Sequence, residues 1–346
     1  MEDFLAHLLE NLAEVCEAPM LQDPELVDGL LDKVRRLKVN KLREAKVLIE
    51  TTAQIARAIG SDIEQQADVL SLWGEIARAS ADWDLTEASY ALVRELVSRL
   101  PRDHRLHIET DLRRAVLARD LRDFASAEAS ARGALKKAFS ISDAFRIKQS
   151  LIVLASILDY SRPGDPDIAL LFREAAMIET GTVMDRNCLV SLANTLIFNG
   201  NHLDEAAEYL QEAISADVPL DPVTEAHIDW SCALLDAARN EYEPARERLE
   251  SAVDGFIELD RIGYAAVCLM DLAILHLDNG AYSQAKSLSR RLWPLFQNLR
   301  IDREAFTAVN LYMKASARDE LTAEIVRGIK RQLELAGPNI PPAHAR

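Results

Sequence analysis

Residues 269–292 read LMDLAILHLDNGAYSQAKSLSRRL, and this stretch decides the fold class. Its first half carries apolar residues at spacings of three and four, which predicts a helix with one apolar face. The Asp-Asn-Gly turn that closes on Gly280 ends this helix, and a second helix is predicted from Tyr282. Because the turn is so short, the two helices must lie antiparallel, and the small residues Ala273 and Ala285 are expected where they cross. The stretch therefore predicts a helical hairpin.

The same hairpin recurs along the chain. An apolar residue at the turn is followed three residues later by alanine, early in the second helix, in the pairs Leu42/Ala45, Leu85/Ala88, Phe124/Ala127, Leu203/Ala206, Tyr242/Ala245 and Tyr282/Ala285. Ala169, which follows a helix start at Pro166, and Ala323 occupy the same slot. Successive alanines lie about 40 residues apart, and self-similarity of that length indicates a solenoid of stacked repeats.

The composition agrees with an all-α fold. Hydrophobic residues make up 49% of the chain but aromatic residues only 6%, and glycine and proline are scarce at 12 each. No window has the β-branched alternation of a strand. We therefore predict an all-α α-solenoid of about eight antiparallel helical hairpins with an N-terminal helix. Its predicted parts are a capping helix over residues 1–22, a repeat array over 23–336 and a disordered tail over 337–346.

The hairpin at residues 269–292 also resembles a known repeat family. Its residues Leu272, Ala273, His276, Gly280, Tyr282 and Ala285 resemble the tetratricopeptide repeat (TPR), whose first helix follows W-x2-L-G-x2-Y and whose second begins G-x-Y-x2-A. His276 stands for the usual aromatic residue and Ala273 for the first glycine. The period of about 40 residues resembles the extended-helix arrays of bacterial TPR regulators and of kinesin light chain. The resemblance implies a right-handed superhelix whose first helices line a concave groove, and it says little about function.

The TPR register implies which side chains would line that groove. An apolar and aromatic strip with a few polar groups would supply anchors for a peptide's side chains and hydrogen bonds for its backbone. The implied positions are Thr195, Phe198, Asn199, His227, Trp230, Leu234, Val267, Met270 and Ile274. Asn194 and Asn199 could hold a peptide backbone or carboxylate, although the lysine and arginine partners of the TPR carboxylate clamp are missing from the matching positions. Alternatively, Trp230 and Met270 simply pack between helices.

The chain is acidic, with a formal net charge of −16 from 40 basic and 56 acidic residues. This charge opposes unspecific contact with nucleic acid or an anionic membrane and favours basic or neutral partners. One basic cluster stands out and is a possible docking patch for an acidic partner or RNA: Arg35, Arg36, Lys38, Lys41 and Arg43. Because these charges alternate with leucine and valine, the alternative is the solvated face of a helix.

No motif in the sequence indicates catalysis. There is no nucleophile elbow, phosphate-binding loop, dinucleotide fingerprint or zinc-protease motif, so an enzyme is not predicted and no cofactor is expected. His104 and His107 lie three residues apart with acids nearby and could in principle bind a metal. They follow Pro101 at a helix start, where acids are expected as caps and dipole partners, so no metal site is predicted.

Targeting and redox signals are absent from the sequence. Met1 and the residues after it lack the basic and apolar regions of a signal peptide, and no apolar run is long enough to cross a bilayer. The four cysteines, Cys16, Cys188, Cys232 and Cys268, are far apart, which argues against a zinc knuckle or a disulfide framework. A reduced, cytoplasmic protein is therefore expected.

These observations favour a binding protein. The leading prediction is a TPR scaffold or regulatory adaptor that holds a protein or peptide segment in its concave groove. The alternative is a sensor that binds a signalling peptide or small molecule and acts through another protein. Self-association is also open, because the apolar C-terminal helix over residues 321–335 could either cap the array or pair with a second copy.

Overall fold

The computed structural model describes residues 24–80, 82–200, 202–217, 220–259, 261–288, 291 and 322–336. Every regular element in these ranges is an α-helix, which confirms the all-α prediction. The predicted capping helix over 1–22 and the predicted tail over 337–346 lie outside the described residues.

Fourteen helices have both ends within the described ranges. They are α1 (Pro24–Asn40), α2 (Leu42–Ala58), α3 (Ile63–Ala79), α4 (Trp83–Val97), α5 (Arg105–Asp120), α6 (Phe124–Ser140), α7 (Ala144–Ser161), α8 (Pro166–Ala176), α9 (Val183–Asn199), α10 (Leu203–Ser215), α11 (Pro222–Ala238), α12 (Tyr242–Glu258), α13 (Ile262–Asp278) and α14 (Ala323–Ala336). Residues 282–288 are helical as well, in agreement with the predicted start at Tyr282.

The chain divides into two compact units, residues 1–117 and 118–346, and α5 spans the division. In the first unit α1, α2 and α3 pack around a core that includes Leu31, Ile49 and Ile76, and α4 packs against α3. The second unit has one core along α7 to α11 and another along α11 to α14, with Phe172 and Phe256 among their residues. Within each unit the packing of successive helices is that of an α-solenoid.

The small residues predicted at the hairpin crossings are buried. The slot is the fourth residue of the second helix in each hairpin. Its side chain has no exposed surface in five repeats, at Ala45, Ala127, Ala206, Ala245 and Ala285. A small side chain there lets two helix backbones approach closely, so the repeat read from the sequence is a repeat of helix crossings.

Two of the alanines predicted at hairpin crossings, Ala88 and Ala323, do not lie there. Ala88 is exposed, because α4 begins at Trp83 and its crossing slot is filled by Thr86, which is fully buried. The Thr86 hydroxyl donates to the backbone oxygen of Asp82 at 2.7 Å, so this polar residue is satisfied inside the hairpin. In α14, Ala323 is the first helical residue and Val326, three residues on, is the buried one.

Local signals define the helix ends. Asp62, Asp123, Asp143 and Asp165 each accept a hydrogen bond from a backbone N–H in the first turn of the following helix, an arrangement that contributes about 1 kcal/mol per cap. Gly280 has a φ of 72°, so the turn between α13 and the helix that begins at Tyr282 uses the left-handed conformation that glycine adopts without strain. Among the described residues, no helix combines the length and apolarity needed to span a membrane.

Candidate ligand-binding cavity

A cavity of about 380 Å³ opens in the second unit along the first helices of successive hairpins. Its walls come from the end of α5, from α7, α9 and α11, and from the start of α13, with one side chain from α8. First helices line it, as the TPR resemblance implies. The lining residues of this first-helix cavity are Arg119, Ser156, Asp159, Tyr160, Phe172, Asn187, Val190, Ser191, Asn194, Val223, Thr224, His227, Trp230, Leu234 and Tyr264.

One wall of the cavity is aromatic and tightly held. The rings of His227 and Tyr264 meet edge to face with centroids 4.5 Å apart, and Phe256 lies beneath both at 4.9 and 5.1 Å. Trp230 adds a fourth ring, 6.1 Å from His227, and its indole Nε1 donates to Asp271 Oδ2 at 3.0 Å. Rings fixed by such contacts form a rigid apolar surface for a ligand side chain.

Arg119 also lines the cavity. Its guanidinium donates to Ser156 Oγ at 3.2 Å and, through two nitrogens, to Asp120 Oδ1 at 3.0 and 2.9 Å. It also stacks over the Tyr160 ring, 4.9 Å from the centroid. Burial raises the pKa of the Tyr160 phenol above its usual value, so this hydroxyl is neutral at physiological pH. The arginine charge is therefore shared among groups of the protein itself.

Burial shifts the pKa values of two other polar groups of the cavity. Burial lowers the pKa of His227 to about 4, so the imidazole is neutral, and burial raises the pKa of the Asp159 carboxyl to about 7. The buried Oδ1 of Asn194 has no hydrogen-bond partner among the described residues. An unsatisfied buried amide is costly, and its oxygen and nitrogen can exchange places by rotation. The cavity thus offers an apolar wall and an amide oxygen without a hydrogen-bond partner, which suits a polar chain such as a peptide backbone.

Three of the nine predicted groove residues line the cavity. They are His227, Trp230 and Leu234, all on α11. On α9 the three predicted groove residues do not line the cavity. Thr195 is 2% exposed, and its hydroxyl donates to the Ser191 backbone oxygen at 2.9 Å. Phe198 and Asn199 lie at the end of the helix, outside the lining. The α9 residues that line the cavity are Asn187, Val190, Ser191 and Asn194; the TPR register implies Ser191 as a groove position too, and Asn194 was expected to hold a peptide backbone or carboxylate.

On α13 the predicted groove residues lie in the core. Val267 and Met270 have no exposed surface, and Ile274 packs against the same cluster. This burial does not fit the prediction that they anchor a partner. The physical reason is that α14 packs against α13 and brings Val326 and Ile329 into this core. In the described part of the chain, α14 therefore caps α13, one of the two alternatives left open by the sequence.

A polar link joins the cavity wall to α14. Asp271 accepts from Trp230 at one carboxylate oxygen and from Lys330 Nζ at the other, and the side chains of Asp271 and Lys330 are 8% and 5% exposed. Arg327 also pairs with Asp278 at the surface. Removing one partner of a buried ion pair is costly, so the pair of Asp271 and Lys330 holds α14 against α13.

Some cavity residues escaped the sequence analysis. The 40-residue period relates His227 to Asn187, but the register was taken from α13, whose corresponding face is covered. Arg119 and Asp159 carry no motif, and only the tertiary packing within the second unit brings them to the cavity. Composition offers no signal for such residues, because charged side chains are abundant on every helix.

The basic cluster in the first unit is largely paired. Arg35, Lys38 and Lys41 each lie within ion-pair distance of carboxylates of the same unit, which is typical of a solvated helix face. The partners are Asp32, Asp68, Glu75 and Glu44. Arg36 and Arg43 are exposed. Docking at this patch stays a prediction.

The remaining candidate groups have local roles. His104 Nε2 lies 3.2 Å from Glu64 Oε1, and Arg105 donates to the other oxygen of Glu64 at 2.9 Å. Among the residues that the structure describes, no three His, Cys, Asp or Glu side chains are grouped to hold a metal ion. Cys188 and Cys268 are fully buried, as expected of small core residues.

Comparison with known proteins identifies the fold. No family model and no curated protein sequence matches the chain. A Rap protein solved in complex with Competence and Sporulation Factor is 14% identical, with a TM-score of 0.62 over 89% of this chain and 88% of that one. The apo form of RapI is 14% identical, with a TM-score of 0.52 over 88% and 85%.

A third solved structure carries the repeat name. It is a STAND signal-transduction ATPase with a tetratricopeptide repeat sensor from Pyrococcus horikoshii, 14% identical, with a TM-score of 0.51 over 93% of this chain and 53% of that one. At this identity the likeness establishes a shared fold and nothing finer. The resemblance to TPR-type helical repeats read from the sequence is thereby confirmed.

Proposed function

We propose that this protein is a non-enzymatic scaffold or regulatory adaptor that binds a peptide segment of a basic or neutral partner in the first-helix cavity. The observation that carries the proposal is that the aromatic side chains of His227, Trp230 and Tyr264 line the same cavity as Asn194, whose Oδ1 has no hydrogen-bond partner among the described residues. Aromatic anchors and free amides are the two components that recognise side chains and backbone in a bound peptide.

The size of the cavity fits this role. Its volume of about 380 Å³ lies at the lower end of the range for ligand sites, which suits one or two side chains of a segment that continues along the helices. A Rap protein of the same fold is solved in complex with Competence and Sporulation Factor, so a chain built this way binds a separate factor. The solved Rap structure is a precedent for binding by a protein of this fold, whereas the proposal itself rests on the residues that line the cavity.

The test substitutes residues that line the cavity and leaves the hydrophobic core residues unchanged. Ser191→Phe places a ring where a half-buried serine lines the wall, and Asn194→Leu removes the amide at similar volume. Peptides selected on the wild type from an array of random fluorescent peptides are titrated by anisotropy. Each substitution is expected to weaken binding about tenfold or more, equivalent to about 1.4 kcal/mol.

The matched control is Ser251→Phe, an exposed serine of α12 outside the cavity. It is expected to leave the affinity of the peptides unchanged, and circular dichroism should be the same for all variants. Peptides that bind Ser191→Phe as tightly as the wild type would reject the cavity as their site, and a wild type that selects no peptide would reject the proposed function.

A second candidate function is a sensor, and one observation favours it. Because Trp230 is hydrogen-bonded through Asp271 to Lys330, a ligand that displaces the indole would also loosen the attachment of α14. The ligand could then change what the C-terminal helix offers to another protein.

Trp230→Phe tests the sensor mechanism, because it keeps an aromatic ring and removes the N–H donor. Hydrogen exchange over residues 323–336 should accelerate, while exchange in α7 should stay as it is in the wild type. Unchanged protection of the C-terminal helix would show that the indole does not hold it.

A further inference from the structure

A second concavity lies on the opposite side of α11 from the cavity. It has a volume of about 460 Å³ and is formed by α10, Leu220, α11 with the following Arg239, and one side chain of α12, and we call it the α10–α12 groove. The α11 residues that face it, such as Ile228 and Asp229, fall between those that face the cavity, such as His227 and Trp230. One helix thus presents two separate sites, and nothing in the groove is used by the proposed cavity function.

The groove has an apolar floor and an uncovered apolar rim. Leu210, Ile228 and Leu235 form the floor and are almost fully buried. At the rim, Ile214 is 48% exposed and Leu220 is 43% exposed. Single exposed apolar residues are common on protein surfaces, but two that flank a concavity with an apolar floor mark a place where another side chain can be buried.

Two carboxylates in the groove form no ion pair with a described residue. Glu225 and Asp229 lie one turn apart on α11, and neither has an ion-pair partner among the described residues. Like charges at this spacing repel each other. Burial raises the pKa of Asp229, the neighbouring Glu225 raises it further, and the nearby Arg248 lowers it in part. An external cation would therefore relieve an existing repulsion.

The arginines at the groove are already engaged. Arg248 lies 3.3 Å from Asp236, and Arg239 donates to Asp204 at 2.8 Å. The cationic groups that the protein places here are thus matched by its own acids, while Glu225 and Asp229 remain as the surplus. The net charge of −16 adds a field that attracts cationic partners from a distance.

From the uncovered apolar rim and the unmatched acid pair, we propose that the α10–α12 groove docks a basic amphipathic segment of a partner protein. Its apolar side chains would pack against Ile214 and Leu220, and its lysine or arginine would pair with Glu225 and Asp229. A short amphipathic helix with apolar residues at spacings of three and four and a cation on the adjacent face has the required pattern.

The test uses the full chain and a defined probe. The probe is a fluorescent alanine-based helical peptide with leucines on one face and two lysines one turn apart beside them. Its matched counterpart carries glutamates in place of the lysines. The wild type should bind the lysine peptide about tenfold more tightly than the glutamate peptide, measured by anisotropy.

Charge reversal in the groove supplies the decisive comparison. Glu225→Lys/Asp229→Lys should lose about tenfold in affinity for the lysine peptide and should now prefer the glutamate peptide. The control, Glu208→Lys/Glu212→Lys, makes the same change of net charge at an exposed pair one turn apart on α10 that does not line the groove. This control should keep the preference for the lysine peptide.

The Cys232 thiol provides a second readout. It is partly exposed and lines the groove, whereas Cys188 and Cys268 are fully buried. In a Cys16→Ser background, saturating lysine peptide should slow alkylation of Cys232 severalfold. Unchanged alkylation would place the peptide elsewhere and overturn the proposal.

Three other results would overturn it as well: equal affinity of the wild type for both peptides, an equal loss in the control pair, or no binding of the lysine peptide. A dimer in light scattering that Ile214→Asp dissociates would identify a second copy as the occupant and reject the partner segment. The cavity variant Ser191→Phe should leave affinity for the lysine peptide unchanged, so the two sites can fail independently.

Discussion

Asp159→Asn is expected to change how the stability of the protein depends on pH. The Asp159 carboxyl is 8% exposed on α7, and burial raises its pKa from 3.8 to about 7. The folded state therefore holds this proton more tightly than the unfolded state does. Stability is lost as pH rises from the unfolded to the folded pKa, and the loss is complete above the folded pKa.

The size of the effect follows from the pKa difference. Ionising Asp159 at high pH costs the folded state about 4 kcal/mol relative to a side chain that does not titrate, because each pKa unit is worth about 1.4 kcal/mol. Asparagine has the same shape and stays neutral. The advantage of Asp159→Asn over the wild type should therefore grow from about 1.5 kcal/mol at about pH 5 to about 4 kcal/mol at about pH 8.

Urea unfolding followed by circular dichroism measures this difference at several pH values. Glu174→Gln is the control, since it neutralises an exposed carboxylate on α8 and should leave the stability gap small at every pH. A gap for Asp159→Asn that stayed constant, or that shrank as pH rose, would refute the reasoning. It would mean that the buried carboxyl is ionised in the folded state at neutral pH, stabilised by a positive charge.

Three further stability predictions follow from the same structure. Lys330→Met removes the cation beside the buried Asp271 and should lower the free energy of unfolding in urea by about 3–5 kcal/mol. The double variant Asp271→Asn/Lys330→Met should recover most of that loss. A double variant no more stable than the single one would contradict the buried ion pair. Gly74→Ala should destabilise the first unit by about 1–3 kcal/mol, since a Cβ there would overlap the Tyr90 ring, with Cδ1 at 2.8 Å. Gly133→Ala, where a Cβ meets nothing within 4 Å, should instead raise the melting temperature by stabilising α6 by about 0.5–1 kcal/mol, and the reverse order of the two would count against both readings.

Much of the fold could be predicted from the sequence because its signals are local. Helical periodicity, aspartate caps such as Asp165 before Pro166, and the turn at Gly280 each involve residues close together in the chain. A period of about 40 residues then repeats those signals along the chain. The slip at Ala88 arose because threonine fills the crossing slot where alanine was expected, and the slip at Ala323 arose because the helix begins there, three residues before the buried Val326.

The candidate site was only partly visible in this way. His227 and Trp230 were identified from the repeat, yet nothing near Met270 in the sequence announces that α14, more than 50 residues later in the chain, covers its face. Burial depends on which helices pack together, and so do the pKa of Asp159, the aromatic wall and the unmatched acid pair of the α10–α12 groove. The sequence by itself determined the helical hairpins and their repetition, because these depend on neighbours in the chain. Only the tertiary structure decided which faces remain open to a ligand, because that depends on contacts between residues far apart in sequence.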